Sequence, residues 1–122
     1  MTDSLTLHHG AHTRFALHAG QCFTPAIKSA KAYADSSGEL ATVEIDLSGL
    51  EVYEIEGYNR DEDEAPGDRG AESLGAWGLP TDGSVDVIIY QDEDVYGRRH
   101  ETYRLMSDRA VAAVNVIEVE EI

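Results

Sequence analysis

An α+β fold, richer in strand than in helix, is what this chain predicts, on three observations. Leu40 to Leu47 alternates, with Leu40, Thr42 and Glu44 on one side and Ala41, Val43, Ile45 and Leu47 on the other. That is the period of a strand with one buried face. Val85 to Tyr90 is a continuous run of mostly apolar, β-branched residues, as in a central strand covered on both faces. Thr24-Pro25 heads a stretch of good helix formers. Thr suits an N-cap, and Pro suits the first helical position because it lacks the N–H that would be orphaned there. At 122 residues, with 42% apolar content and no internal repeat, the chain reads as one domain over residues 1–122, long enough to bury a core.

The elements follow in order. Leu5, Leu7 and His9 alternate with Thr6 and His8, which predicts a half-buried strand that stops at Gly10. Phe15 to Ala19 suggests a turn or short helix ended by Gly20, and Cys22-Phe23 a short strand. The helix after Pro25 runs from Ala26 to about Asp35, with Ile27, Ala30 and Ala34 toward the core, and Ser36-Ser37-Gly38 breaks it. After the strand from Leu40 to Leu47, Ser48-Gly49 turns the chain. Leu50 to Tyr58 sets Val52, Tyr53 and Ile55 among acids and suits a strand or a short helix. Asn59 to Ser84, with Pro66, Pro80 and several glycines, reads as a long loop with a short helix around Ala71 to Trp77; loops of this length in small domains are often functional. The run from Val85 to Tyr90 gives way to Gln91-Asp92-Glu93-Asp94. Gly97-Arg98-Arg99 is a hairpin tip, Thr102 to Met106 the return strand, Asp108-Arg109 a turn, and Val111 to Val119 a last strand.

Charge narrows the function classes. Nine basic against 24 acidic residues leave a formal net charge of −15. A phosphate backbone needs Lys and Arg to displace its counterions, so direct nucleic-acid binding is not expected. The acids Asp61-Glu62-Asp63-Glu64, with Glu51, Glu54, Glu56, Glu118, Glu120 and Glu121, read first as a solvated face. Their functional alternative is docking on a basic protein. A single cysteine excludes an internal disulfide and fits a reducing compartment. No run approaches the ~20 apolar residues of a membrane span. Met1-Thr2-Asp3-Ser4 lacks the marks of a signal peptide. The expected location is cytoplasmic, with no membrane partner.

Two short segments carry candidate chemistry. In His9-Gly10, a neutral imidazole at a strand end can donate to a ribose hydroxyl, and a following glycine lets a ligand lie against bare backbone. In Phe23-Thr24-Pro25-Ala26-Ile27-Lys28-Ser29-Ala30-Lys31-Ala32-Tyr33, a strand end meets a capped helix that bears a Tyr one turn after Ser29. A third segment, Ser84 to Tyr90, leads into Gln91-Asp92-Glu93 and returns through Glu101-Thr102-Tyr103-Arg104-Leu105-Met106.

In that order the three segments resemble the H-Y-E class of ADP-ribosyltransferases, the class of diphtheria toxin and the poly-ADP-ribose polymerases. The Gln-Asp-Glu turn is similar to that of small phage-borne members such as anti-CRISPR ADP-ribosyltransferases. The resemblance implies a small split β-sheet fold with one or two short helices. It also implies mono-ADP-ribosyl transfer from NAD to a macromolecular target, a basic protein by the charge argument, in a phage or toxin-type effector acting in a bacterial host. His9 would hold a hydroxyl of the adenine-side ribose, the Gly10 backbone would bond the nicotinamide amide, and Tyr33 would stack on the nicotinamide ring. Phe23, Thr24 and Ser29 complete the implied NAD-binding set. A carboxylate would accept from the 2′-hydroxyl of the nicotinamide ribose and steady the positive charge that develops at the anomeric carbon. Where eukaryotic-type members have an aromatic residue before Phe23, this chain has Cys22. Where the acid often directly precedes the returning Tyr, it has Thr102. Glu101 is one residue off, and a one-residue shift points it to the other strand face. The acid is therefore assigned to Asp92 or Glu93 ahead of Glu101.

Other readings carry less. His8 and His12 have the spacing of metal ligands on a helix, with His9, His18 and His100 to add, but the segment reads as strand then turn, so no metal is expected. Cys22 has no cationic neighbour in sequence and reads as a small core residue. Two further functions stay open: a non-enzymatic acidic inhibitor that mimics nucleic acid, and an NAD glycohydrolase on the same fold.

Overall fold

The structure is a computed structural model and describes residues 4–34, 37–55, 65–68 and 71–122, with only the backbone of Ala71. Asp35, Ser36, Glu56, Tyr58 and the acidic run Asp61 to Glu64 lie outside the described residues. In chain order the elements are β1 (Ser4–Ala11), β2 (Cys22–Phe23), α1 (Ile27–Ala34), β3 (Glu39–Asp46), β4 (Val52–Glu54), α2 (Ala71–Ala76), β5 (Val87–Glu93), β6 (Arg99–Leu105), α3 (Asp108–Ala112) and β7 (Val114–Glu121). They form a small α+β domain with two sheets, ordered β1-β3-β7 and β2-β6-β5-β4. All pairings are antiparallel except β4 with β5. Among the described residues no helix is long and apolar enough to cross a membrane.

The main core lies between the sheets. Leu7, Val43 and Ile45 of the first meet Phe23, Val87, Ile89, Tyr103 and Leu105 of the second, with Ala110 of α3. The other face of the second sheet buries Ile88 and Tyr90 with Val85 and with Leu74 of α2. Alternate residues of β5 thus enter two different cores, which is why the run from Val87 to Tyr90 is apolar without alternation.

Several expectations need correction. Gly10 does not stop β1, which pairs with β3 as far as Ala11 opposite Glu39. Of the turn or short helix expected from Phe15 to Ala19, the structure forms a turn at Ala19-Gly20 and no helix, and Phe15 and Leu17 pack against the core. β5 runs through Gln91 and Asp92 to Glu93. Asp108-Arg109 opens a third helix, capped by the Ser107 side chain accepting from the Ala110 N–H. An i-to-i+3 cap of this kind overrides the turn tendency of Asp. In α1, Ser29, Ala30 and Ala34 are buried, whereas Ile27 is 42% exposed. The cause is the closeness of the helix to the sheet: a Cβ on Gly10 would lie 1.7 Å from the Ala30 carbonyl oxygen. At that spacing only small side chains fit between helix and strand.

One buried carboxylate ties the second sheet to α3. Asp86 accepts from the Glu51 N–H at 2.8 Å, the Ser107 hydroxyl at 2.6 Å and Arg109 Nε at 3.1 Å. Burial by itself would raise its carboxyl, but these donors outweigh it and hold the group below its ordinary value. Asp86→Asn keeps the shape but cannot accept from all three donors. It should cost about 2 kcal/mol, read from the urea midpoint. A carboxyl whose folded pKa is depressed gives stability that is full above its unfolded value near ~3.9 and is lost as pH falls through the folded one. The wild-type stability curve should therefore drop on the acid side more steeply than that of Asp86→Asn.

Candidate active site

Among the described residues one backbone rung joins the two sheets. His8 donates its N–H to the Thr24 carbonyl at 2.8 Å and accepts from the Thr24 N–H at 2.9 Å, an isolated bridge. The next rung would join Gly10 to Cys22, but the Cys22 carbonyl accepts from His9 Nδ1 at 2.8 Å. Beyond the bridge a cavity of about 380 Å³ opens between β1, β2, α1 and the β5–β6 hairpin. His9, Gly10, Phe23, Thr24, Tyr33 and Asp92 all line it.

In an antiparallel strand, alternate residues turn their backbone groups to opposite edges. His8 faces β2, so Gly10, two residues on, turns its N–H and C=O to the same edge and into the cleft. The missing side chain of Gly10 serves a different purpose from the one expected: the Ala30 carbonyl of α1 covers the face where a Cβ would stand. His9 packs its ring on Phe15 and Phe23, with centroids 5.8 and 5.5 Å away. A carbonyl can only accept, so Nδ1 of His9 carries the proton and Nε2 of the neutral ring is an acceptor. The anticipated donation to a ribose hydroxyl is thus reversed: His9 would accept from it. Burial lowers the His9 pKa, with the Cys22 bond opposing and His18 adding; burial and Lys31 lower that of His8. As pH falls through the unfolded value near ~6.5, the unfolded chain takes up protons that the folded one resists, so both rings make the fold less stable below neutrality.

Thr24 and Pro25 stand ahead of α1 and not at its expected cap and first turn: the Thr24 hydroxyl accepts from the Ala26 N–H at 3.1 Å, and it is the Ala26 carbonyl that takes the first helical bond, from the Ala30 N–H at 3.1 Å, before the helix opens at Ile27. Tyr33 donates to the Glu93 carbonyl at 3.2 Å and lies 2.9 Å from His100 Nε2. These bonds anchor the phenol to the hairpin and stand its ring at the cleft wall. Asp92 sits opposite His100 in the β5–β6 ladder, and its Oδ1 accepts from the Glu93 N–H at 2.8 Å.

Three residues of the expected set are not brought to the cavity. Ser29 is buried and donates to Asp94 Oδ2 at 2.8 Å, so its hydroxyl fastens helix to hairpin instead of meeting a ligand. Glu93 alternates with Asp92 and so belongs to the other face of β5; its carbonyl accepts from Tyr33. Glu101 accepts from the Tyr103 hydroxyl at 2.8 Å, on the face opposite His100 and Thr102, which do line the cavity.

Asp94 completes the frame. It accepts from Tyr96 N–H, Arg98 N–H, Arg98 Nε and the Ser29 hydroxyl. Burial opposes these bonds, yet they hold its carboxyl well below the usual range. Gly97, at φ 80°, supplies the left-handed turn that lets the loop wrap around it.

Cys22 is corrected in its surroundings. It lines the cavity, and its Sγ lies 3.2 Å from Arg104 Nε and 3.6 Å from the Tyr90 hydroxyl. Arg104 is tied in turn to Asp68 at 2.7 Å and to the Pro66 carbonyl. The sequence reading missed this cation because it comes from a strand 82 residues away. It also missed His100 and Thr102 as cleft residues. The two-residue period that turns Glu101 away was the signal that could have found both. Among the described residues no group of three His, Cys, Asp or Glu side chains could hold a metal ion. No protein-family model, curated protein or solved structure matches the chain.

Proposed function

We propose that the cleft binds NAD and transfers its ADP-ribose to a macromolecular acceptor, with a basic protein as the acceptor class that suits a chain of net charge −15. One observation carries this reading: His9 and Gly10 of β1, Tyr33 of α1 and Asp92 of β5 share one cavity of about 380 Å³, within the size range of ligand sites. The donor set suits the ligand. An imidazole acceptor fits a ribose hydroxyl, a backbone N–H and C=O pair fits a carboxamide, a phenol face fits a flat ring, and a carboxylate fits a ribose hydroxyl beside a developing cation. In the reaction the bond from the anomeric carbon to the nicotinamide nitrogen breaks, its electron pair leaving on that nitrogen. The acceptor's lone pair makes the new bond, and the acceptor's proton passes to a carboxylate or to water. Asp92 would steady the positive charge between the two events.

The test is thermal and chemical. NAD at a hundredfold excess over its dissociation constant should add about 2.7 kcal/mol of stability. Nicotinamide should be released in the presence of a basic acceptor protein and much less without one. Substantial release without acceptor would make the protein a glycohydrolase. No release and no stabilisation would leave an acidic binding protein. His9→Ala and Tyr33→Ala should each weaken NAD binding about tenfold, on the order of 1.4 kcal/mol, as measured by titration calorimetry.

A further inference from the structure

The first sheet ends in β7, and among the described residues no strand pairs with its outer edge. The strand is eight residues long, so alternate residues present a row of N–H and C=O groups outward. Natural proteins blunt such edges with Lys, Pro or very short strands. β7 reads Val-Asn-Val-Ile-Glu-Val-Glu-Glu and carries no Lys or Pro; its one irregularity is a register shift opposite Thr42/Val43. Its side chains are also uncovered. Val116 and Val119 pair with Val43 and Ala41, which are fully buried, yet Val116 is 42%, Ile117 52% and Val119 44% exposed. Interleaved with them are Glu118, Glu120 and Glu121.

We infer that the outer edge of β7 takes up an extended basic segment of a partner protein as an added strand. Main-chain bonds along the edge would supply affinity, and alternate apolar and Lys or Arg side chains would match the valines and the glutamates. Charge decides against a second copy as the occupant. Self-pairing would bring the three carboxylates of each strand along one seam between two bodies, each of net charge −15, and like charges across a ladder repel. The edge lies on a different strand from any that lines the cleft, so the inference does not depend on NAD.

The probe is a fluorescent decapeptide of alternating Val and Lys, followed by anisotropy on the full chain. It should bind, protect β7 amides from hydrogen exchange, and lose about tenfold in affinity against the double variant Glu118→Lys/Glu120→Lys. The variant Glu51→Lys/Glu54→Lys makes the same change in net charge on the other sheet and should lose far less. A copy of the peptide N-methylated at alternate residues keeps its charge but cannot complete the ladder, and it should not bind. Equal binding of the methylated peptide, equal losses in the two double variants, or sedimentation showing a dimer held through β7 would each overturn the inference.

Discussion

Gly10→Ala is expected to remove at least about 4 kcal/mol of stability. The added carbon would sit 1.7 Å from the Ala30 carbonyl oxygen and 2.7 Å from its carbon. Both are backbone atoms inside a helix, so no side chain can rotate away. Either α1 lifts from β1 or β1 bends, and both break the seat of Ala30 and Ala34. Gly49→Ala is the control. Gly49 has φ +80° with nothing within 4 Å of the added carbon, so its cost is only the backbone strain, about 1 kcal/mol. Urea unfolding followed by circular dichroism compares them. If Gly10→Ala does not accumulate as folded protein while Gly49→Ala does, the direction is already decided. A Gly10→Ala variant within about 1 kcal/mol of wild type would mean that helix and strand do not lie this close. The same lift would carry Tyr33 away from His100, so any NAD-dependent stabilisation should disappear with the fold.

Asp92→Ala is expected to lower turnover at least about hundredfold while changing NAD affinity only a few-fold. A group that acts on charge present only in the transition state is worth about 3 kcal/mol there and little in the ground state. Of the three candidate acids, Asp92 is the one lining the cavity. Glu101 is engaged with Tyr103 on the far face of β6, and Glu93 gives its carbonyl to Tyr33. Glu101→Gln should therefore retain most turnover, with a small loss of stability from the weakened Tyr103 bond. Single-turnover nicotinamide release separates the variants. Normal release by Asp92→Ala together with loss in Glu101→Gln would reverse the assignment of the acid.

Much of the framework was legible because it is written in local patterns. The alternation from Leu40 to Leu47, the Cys22-Phe23 strand and the short helix near Ala71 depend on residues a few positions apart. The site was legible where the side-chain period alone decides. Glu101 was expected to face away from a ligand, and its bond to Tyr103 lies on the face opposite His100 and Thr102. What escaped notice involves partners distant in the chain. Ile27 has the right spacing to be buried but is displaced by a helix pressed against Gly10. Ser29 looked like a ligand group until Asp94, 65 residues on, took its hydroxyl. His9 was given a donating role because the Cys22 carbonyl that fixes its proton was out of view.

Read alone, the order of residues settled most of the segments that become strands, the helix after Pro25 and the one near Ala71, and that the chain is strongly acidic. Backbone propensity and side-chain period act over a few residues, and net charge is a plain sum. Which histidine nitrogen carries the proton, which carboxylate meets the cleft, and that an arginine stands beside Cys22 were decided only when the two sheets met at His8 and Thr24. Those properties belong to distances between remote atoms, and such distances exist only after the hydrophobic faces have packed.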